Sequence, residues 1–374
     1  MNDATSNEQH VISELDMTDV VSETMSSDEL IKRLREISDD DAEKSSVVTE
    51  FERRVSAYDL EPTLIDLLQR EPFLGYLSRR LTKIRTRKIA TAAVTVTADS
   101  FIMMWSPAFF WRISPEWMTC GENRRKALGV VMHELYHLML EHVLVRSEGM
   151  EYPMLANWAM DLSINCMLPR DHLPDGLLIP GEQLTLPDDA ASVYRPDELK
   201  QYMQLSSFIA SLPTNQATEF YYGQLIEFIN QNHPNMLKDP DWGKPSDQRL
   251  GNGDNDSDGS GGQGGKPGGQ RGHGDDDSDG QQDGKSGGSG GSVKSGYGRL
   301  GNFDNHTTWR PNPNEAEKEY IRQRMHDIVS AAINEADNAS SAGRGWGSIP
   351  AEMQALLRKL ISRTVNWRAV LRQF

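Results

Sequence analysis

Residues 127–145, with the sequence ALGVVMHELYHLMLEHVLV, are apolar on nearly every face of the helix that they would form. They lie in a segment from Glu122 to about Arg146 that predicts one long helix. A helix without a solvated face is buried rather than amphipathic. The folded part of the chain therefore has to enclose this segment.

The segments on both sides of this helix are also mostly helical. Apolar periodicity and helix-start signals predict further helices at 27–37, 47–58, 61–69, 73–82, 154–167, 199–231, 315–337 and 350–363. Two runs rich in β-branched and aromatic residues, 91–97 and 100–105, predict one or two strands. The predicted fold class is therefore α+β and predominantly helical, with a small sheet at about 90–106 packed against the buried helix.

The net charge of −16 is concentrated in two stretches outside the predicted core. Residues 1–50 carry a net charge of −10 and residues 251–298 a net charge of −4, so the acidity says little about what the folded part binds. Residues 251–298 also hold 19 of the 31 glycines, a composition typical of a disordered segment. We expect four parts, which are a disordered acidic tail at 1–26, a domain at 27–242, a disordered Gly/Ser/Asp-rich insertion at 243–298, and a helical continuation of the same domain at 299–374.

Weaker signals indicate the compartment and exclude some partners. Cys120 and Cys166 cannot form a disulfide framework and the chain starts without a secretory signal, so a cytoplasmic location is expected. No stretch approaches the ~18 consecutive apolar residues that a membrane span needs. Nucleic-acid binding is supported by one local basic run, for which a solvated helix end is the preferred interpretation (Arg79, Arg80, Lys83, Arg85, Arg87 and Lys88).

His133, Glu134 and His137 form an HExxH motif in the middle of the buried helix. Residues four apart lie on one helix face, so both imidazoles can reach a single ion. Glu134, about 100° around the helix from His133, can lie beside that ion without binding it and can take a proton from metal-bound water. Zinc suits the motif, because it accepts imidazole nitrogen and lowers the pKa of bound water to roughly 7. Hydrogen-bonded core histidines or an ion pair are the alternative.

Catalytic zinc sites commonly use three protein ligands and a water, so a third ligand is expected. His142 lies nine residues after His133, but a continuous helix without a glycine would point it elsewhere, and a polar cap is preferred. Glu141 lies about 6 Å further along the helix axis than His137, which favours a supporting role.

A second polar pattern supplies a better third ligand. Asn157, Asp161 and Asn165 recur every four residues among apolar neighbours, as a polar stripe on a helix that is otherwise buried. Buried polar side chains need partners, and a metal with its surrounding hydrogen bonds would supply them. Asp161 is therefore the predicted third ligand, and a stripe that faces water or caps a turn is the alternative.

The order of several motifs resembles a family of bacterial and phage metallopeptidases. These motifs are HELYH, NWAMDLSIN, FDNHTTW (303–309), RGWGSIPAEMQALL and NWRAVLRQF. The resemblance covers roughly residues 30–374 without the Gly-rich insertion. In that family a zincin-like region is typically followed by a von Willebrand factor A-like domain, which would begin where this chain ends.

The resemblance implies a role for each motif residue. His133, His137 and Asp161 would be the zinc ligands and Glu134 the general base. Asp304 and His306 of FDNHTTW match the Asp and the His of a family element that ends in Trp. His306 could stabilise a developing oxyanion or the substrate carbonyl, and a hydrogen-bonded structural histidine is an equal alternative.

These observations predict a zinc-dependent metallopeptidase that cleaves peptide bonds in a protein or peptide substrate with Glu134-activated, zinc-bound water. The competing prediction is a non-catalytic, zinc-containing adaptor, for which the resemblance implies a MoxR-type AAA+ ATPase as partner. No local motif indicates the substrate sequence.

Overall fold

The computed structural model describes residues 25–36, 44–97, 100–119, 121–143, 150–185, 196–234, 237, 314–340 and 345–362. Residues 1–24 of the predicted tail, the whole of the predicted insertion, and both Asp304 and His306 lie outside these ranges. The four-part division of the chain therefore stays a prediction.

Helices form most of the described chain, and one three-stranded sheet accompanies them, which confirms the predicted α+β, predominantly helical class. The elements are α1 (Ser27–Glu36), α2 (Lys44–Ala57), α3 (Glu61–Arg70), α4 (Pro72–Ser78), β1 (Thr82–Arg85), β2 (Ala92–Val96), β3 (Phe101–Trp105), α5 (Pro107–Ile113), α6 (Arg125–Met139), α7 (Pro153–Asn165), a 3-10 turn (Arg170–His172), α8 (Pro196–Ser211), α9 (Thr218–Asn232), α10 (Glu315–Ser340) and α11 (Ala351–Ser362). None of these helices is long and apolar enough to cross a lipid bilayer.

The sheet has the strand order β1-β3-β2, with β1 parallel and β2 antiparallel to the central β3. Strands β2 and β3 were predicted, whereas β1 lies where the end of a helix was expected. That helix, α4, ends at Ser78. The side chains of β1 are mostly exposed and show no apolar alternation, so the side-chain pattern does not reveal this strand. Backbone pairing with β3 holds it at the edge of the sheet.

The predicted solvated helix end is therefore wrong for the basic run, which begins directly after α4 and continues through strand β1 to Lys88. Its side chains make contacts within the chain. Arg85 donates to the backbone oxygens of residues at the end of α2, and its guanidinium lies over the Trp105 ring. Arg87 pairs with Glu52 and Arg80 with Glu335. These contacts neutralise or occupy much of the charge that nucleic acid would need.

Helix α6 is enclosed as the sequence predicts. Nearly all of its residues from Ala127 to Met139 are buried, and β2, α3, α4, α5, α7 and the 3-10 turn pack around it. Helix α10 contributes Ile321, Met325 and Val329 to the same core and packs on α4. The segment after the predicted insertion thus shares a core with the segment before it.

Helix α6 ends at Met139, seven residues earlier than predicted. Glu141 has a φ of 60°, the left-handed conformation that closes many helices. The amide of Glu141 donates to Leu138 O and the amide of His142 donates to His137 O, at 3.1 and 2.9 Å. These two bonds form a Schellman motif, with glutamate at the position that glycine usually occupies.

Helix α7 lies between two hydrophobic cores. Ile164 belongs to the core around α6, whereas Leu155, Trp158 and Leu162 pack with α8 and α9 in a second core. The polar residues of α7 therefore lie where the two cores meet.

Candidate metal centre

The structure brings His133, His137 and Asp161 together at the contact between α6 and α7. The two histidine Nε2 atoms are 3.0 Å apart, and Asp161 Oδ1 lies 3.5 Å from His133 Nε2 and 3.4 Å from His137 Nε2. All three side chains are buried, and among the described residues no fourth histidine, cysteine or carboxylate joins the group.

The spacing of these three atoms fits one small metal ion. Zinc binds imidazole nitrogen and carboxylate oxygen at about 2.0–2.2 Å, and two ligands of a tetrahedral site at that radius are about 3.3 Å apart. The observed separations of 3.0–3.5 Å match that value. The donor set, two imidazoles and one carboxylate, is one that divalent transition metals accept.

Asn165 holds the ring of His133 from the side away from the cluster. Its Oδ1 lies 2.9 Å from His133 Nδ1, and its Nδ2 donates to Leu178 O at 3.0 Å. Because the second bond fixes the orientation of the amide, Oδ1 accepts and His133 Nδ1 donates. The Nε2 lone pair of His133 is then directed at the cluster. The polar stripe on α7 thus supplies a carboxylate to the cluster and a hydrogen bond behind it.

Glu134 lies beside the cluster without joining it. Its carboxylate accepts a hydrogen bond from the backbone amide of Val94 in β2 at 2.9 Å, and only 2% of the residue is exposed. The small sheet therefore positions Glu134 directly.

A small cavity of about 30 Å³ is lined by Glu134 and by two members of the cluster, His133 and Asp161. By volume it has room for one or two water molecules. Its walls come from α5, α6, α7 and the residues after the 3-10 turn, and they are Phe109, Gly129, Val130, His133, Glu134, Asp161, Leu173, Pro174 and Leu177.

The other candidates from the sequence lie elsewhere. Glu141 accepts a hydrogen bond from His326 Nε2 of α10 at 2.8 Å and does not join the cluster. Tyr136, which lies between the two histidines of the HExxH motif, is part of the main core, and burial raises its pKa above the ordinary range, so it stays neutral. The role predicted for His306 lies outside the described residues.

His142 is the residue whose position sequence reasoning missed. The early end of α6 turns it back toward the helix, and its Nδ1 lies 3.1 Å from Nδ1 of His137. The expectation that the helix continues through His142 is therefore wrong, whereas His142, as expected, does not join the ligand group. The nine-residue spacing from His133 is the only signal in the sequence for this contact, and the sequence carries no glycine that would indicate the end of the helix before His142.

Fold and site together define a mostly helical α+β protein with a buried His-His-Asp group that fits a metal-dependent function. The chain belongs to the family described as a putative metallopeptidase domain, whose model matches residues 56–374. The resemblance stated from the sequence motifs is thereby confirmed. Comparisons with curated proteins and with solved structures gave no match.

Proposed function

We propose that this protein is a zinc-dependent metallopeptidase that hydrolyses peptide bonds, with His133, His137 and Asp161 as the zinc ligands. The observation that carries the proposal is a three-ligand group with a buried glutamate next to it. Structural zinc sites usually have four protein ligands, whereas catalytic sites have three and leave a position open. Three ligands beside Glu134 favour a catalytic site over an adaptor.

Zinc, when bound, would polarise the substrate carbonyl and make water a stronger acid. The residues of the chain supply the remaining chemistry. Glu134 is the general base, which takes a proton from the attacking water and returns it to the leaving amine. The hydrogen bond from the Val94 amide keeps its carboxylate beside the cavity.

Substrate entry requires a wider cavity than the one described. A volume of about 30 Å³ accommodates water but no peptide. One wall, formed by Leu173, Pro174 and Leu177, follows a short 3-10 turn rather than belonging to a long helix. We infer that this wall moves when a substrate enters. His306 remains our candidate for stabilising the charge that develops on the carbonyl oxygen.

The test combines metal content with peptide hydrolysis. The full chain and the variants His133→Ala, Asp161→Ala and Glu134→Gln are purified, and zinc is measured by elemental analysis. We expect about one zinc per chain in the wild type and in Glu134→Gln, and little in the two ligand variants. Cleavage of a peptide library by the zinc-loaded protein should fall about 10²–10⁴-fold in Glu134→Gln.

Three results would count against the proposal, each in a different way. Activity that survives Glu134→Gln would overturn the role of Glu134, and zinc retained by His133→Ala would overturn the ligand set. A wild type that binds zinc but cleaves no peptide in the library would favour the adaptor prediction.

A further inference from the structure

His137 is backed by a second buried histidine rather than by an amide. The Schellman turn after α6 folds His142 under His137, with ring centroids 5.1 Å apart and the two Nδ1 atoms 3.1 Å apart. Both side chains are fully buried. Two facing ring nitrogens can form a hydrogen bond only if one of them carries a hydrogen and the other does not.

The contact continues as a chain of hydrogen bonds to the backbone of α7. His142 Nε2 lies 3.3 Å from Thr218 Oγ1, at the first residue of α9, and Thr218 Oγ1 lies 3.0 Å from Ser163 Oγ. Ser163 Oγ donates to the carbonyl oxygen of Met160 at 2.7 Å. Thr218 and Ser163 are 1% and 5% exposed, so bulk water does not compete for these bonds.

The carbonyl of Met160 sets the direction of every bond in this chain. A carbonyl oxygen only accepts, so the single hydroxyl hydrogen of Ser163 is used on Met160. Ser163 Oγ must then accept from Thr218, whose own hydrogen is used in that bond.

The same reasoning extends to the two histidines. Thr218 Oγ1 accepts from His142 Nε2, so a neutral His142 carries its hydrogen there and has a lone pair on Nδ1. His137 Nδ1 must therefore donate to His142 Nδ1, and the lone pair of His137 lies on Nε2. That atom is 3.4 Å from Asp161 Oδ1 and 3.0 Å from His133 Nε2, so the two Nε2 lone pairs converge on one point, which a bound metal ion or, without metal, a shared proton would occupy.

We propose that His142 is a positioning residue of the metal centre, which together with Thr218 and Ser163 holds His137 in the tautomer that can bind a metal. The proposal rests on the proposed function, because it assigns these residues a role toward the same ion. Hydrogen-bond partners behind a metal-binding histidine fix its tautomer and ring orientation. This series of hydrogen bonds also links the C-terminal end of α6 to α7 and α9.

The first test measures zinc binding, by competition with a chromophoric chelator, in paired variants. His142→Leu removes the acceptor, and we expect the dissociation constant to rise about 10–100-fold. His142→Asn offers an amide oxygen near the position of Nδ1 and should restore most of the affinity. Thr218→Val, which keeps the shape of the side chain but loses the hydroxyl, should weaken binding, whereas Thr218→Ser should not.

The second test needs no metal. Nitrogen-15 NMR of the imidazoles in the metal-free chain should show that His137 Nδ1 always carries a hydrogen in the wild type and carries one only part of the time in Thr218→Val, whichever Nε2 atom holds the shared proton. A His137 Nδ1 without a hydrogen in the wild type would overturn the proposal, and so would wild-type zinc affinity in both His142→Leu and Thr218→Val. A wild type that binds no zinc would instead refute the proposed function, and the NMR result would still decide the tautomer.

Discussion

Gly129 offers a sharp test of how α6 is held against the wall of the cavity. A Cβ added to Gly129 would lie 1.9 Å from the carbonyl oxygen of His172 and 2.6 Å from its carbonyl carbon. Both atoms belong to backbone and cannot rotate away. Gly129→Ala therefore has to push the 3-10 turn, and the cavity wall that follows it, away from α6.

The size of the effect follows from two opposing contributions. Restoring ordinary contact requires the turn to move by about 1.5 Å, and such overpacking typically costs about 1–3 kcal/mol. Replacing glycine by alanine inside a helix stabilises the helix by up to about 1 kcal/mol. With the full gain, we expect a net loss of up to about 2 kcal/mol in the free energy of unfolding.

Gly223 of α9 is the matched control, because a Cβ added there meets no atom within 4 Å. Gly223→Ala should raise the free energy of unfolding by about 0.5–1 kcal/mol. Urea denaturation measures both variants, and amide hydrogen exchange at Leu173, which donates to Arg170 O, should be faster in Gly129→Ala only. A Gly129→Ala variant as stable as Gly223→Ala would refute the close packing described here.

Two further predictions concern the charged contacts of helix α2. Hydrogen bonds from Arg53 and other charged partners lower the pKa of Glu50, so its contribution to stability is present above the unfolded pKa near 4.5 and is lost as the pH falls below it. The difference in unfolding free energy between wild type and Glu50→Gln should therefore shrink from about pH 5 downward in urea titrations, and a constant difference would contradict this. Arg85→Gln should cost about 1 kcal/mol, because Arg85 bonds to the end of α2 and lies over Trp105. Fluorescence anisotropy of labelled DNA should give the same weak binding for the wild type and for Arg85→Gln. If the wild type binds DNA and Arg85→Gln does not, the nucleic-acid hypothesis is restored.

The elements that the sequence did not reveal are those held by backbone contacts. Strand β1 has mostly exposed side chains, and its pairing with β3 depends on residues that lie about twenty positions later in the chain. The end of α6 was missed because Glu141, not glycine or asparagine, adopts the left-handed conformation there. The hydrogen bond between Glu141 and His326 of α10 holds that side chain, and no local pattern reports a contact 185 residues away.

The cluster could be predicted because both helices that form it break their own pattern. On a buried helix, every polar side chain has to find a partner on a neighbouring element. Helix α6 carries histidines four residues apart, and α7 carries Asp161 and Asn165 four residues apart, so each helix has one polar face in an apolar surround. The polar side chains of the two faces find hydrogen-bond partners when the faces pack against each other. They do so through the Asn165–His133 hydrogen bond and through the Asp161 carboxylate, which lies beside His133. This argument does not predict the position of His142. That position depends on the residue at which α6 ends, and the helix-face pattern carries no information about it.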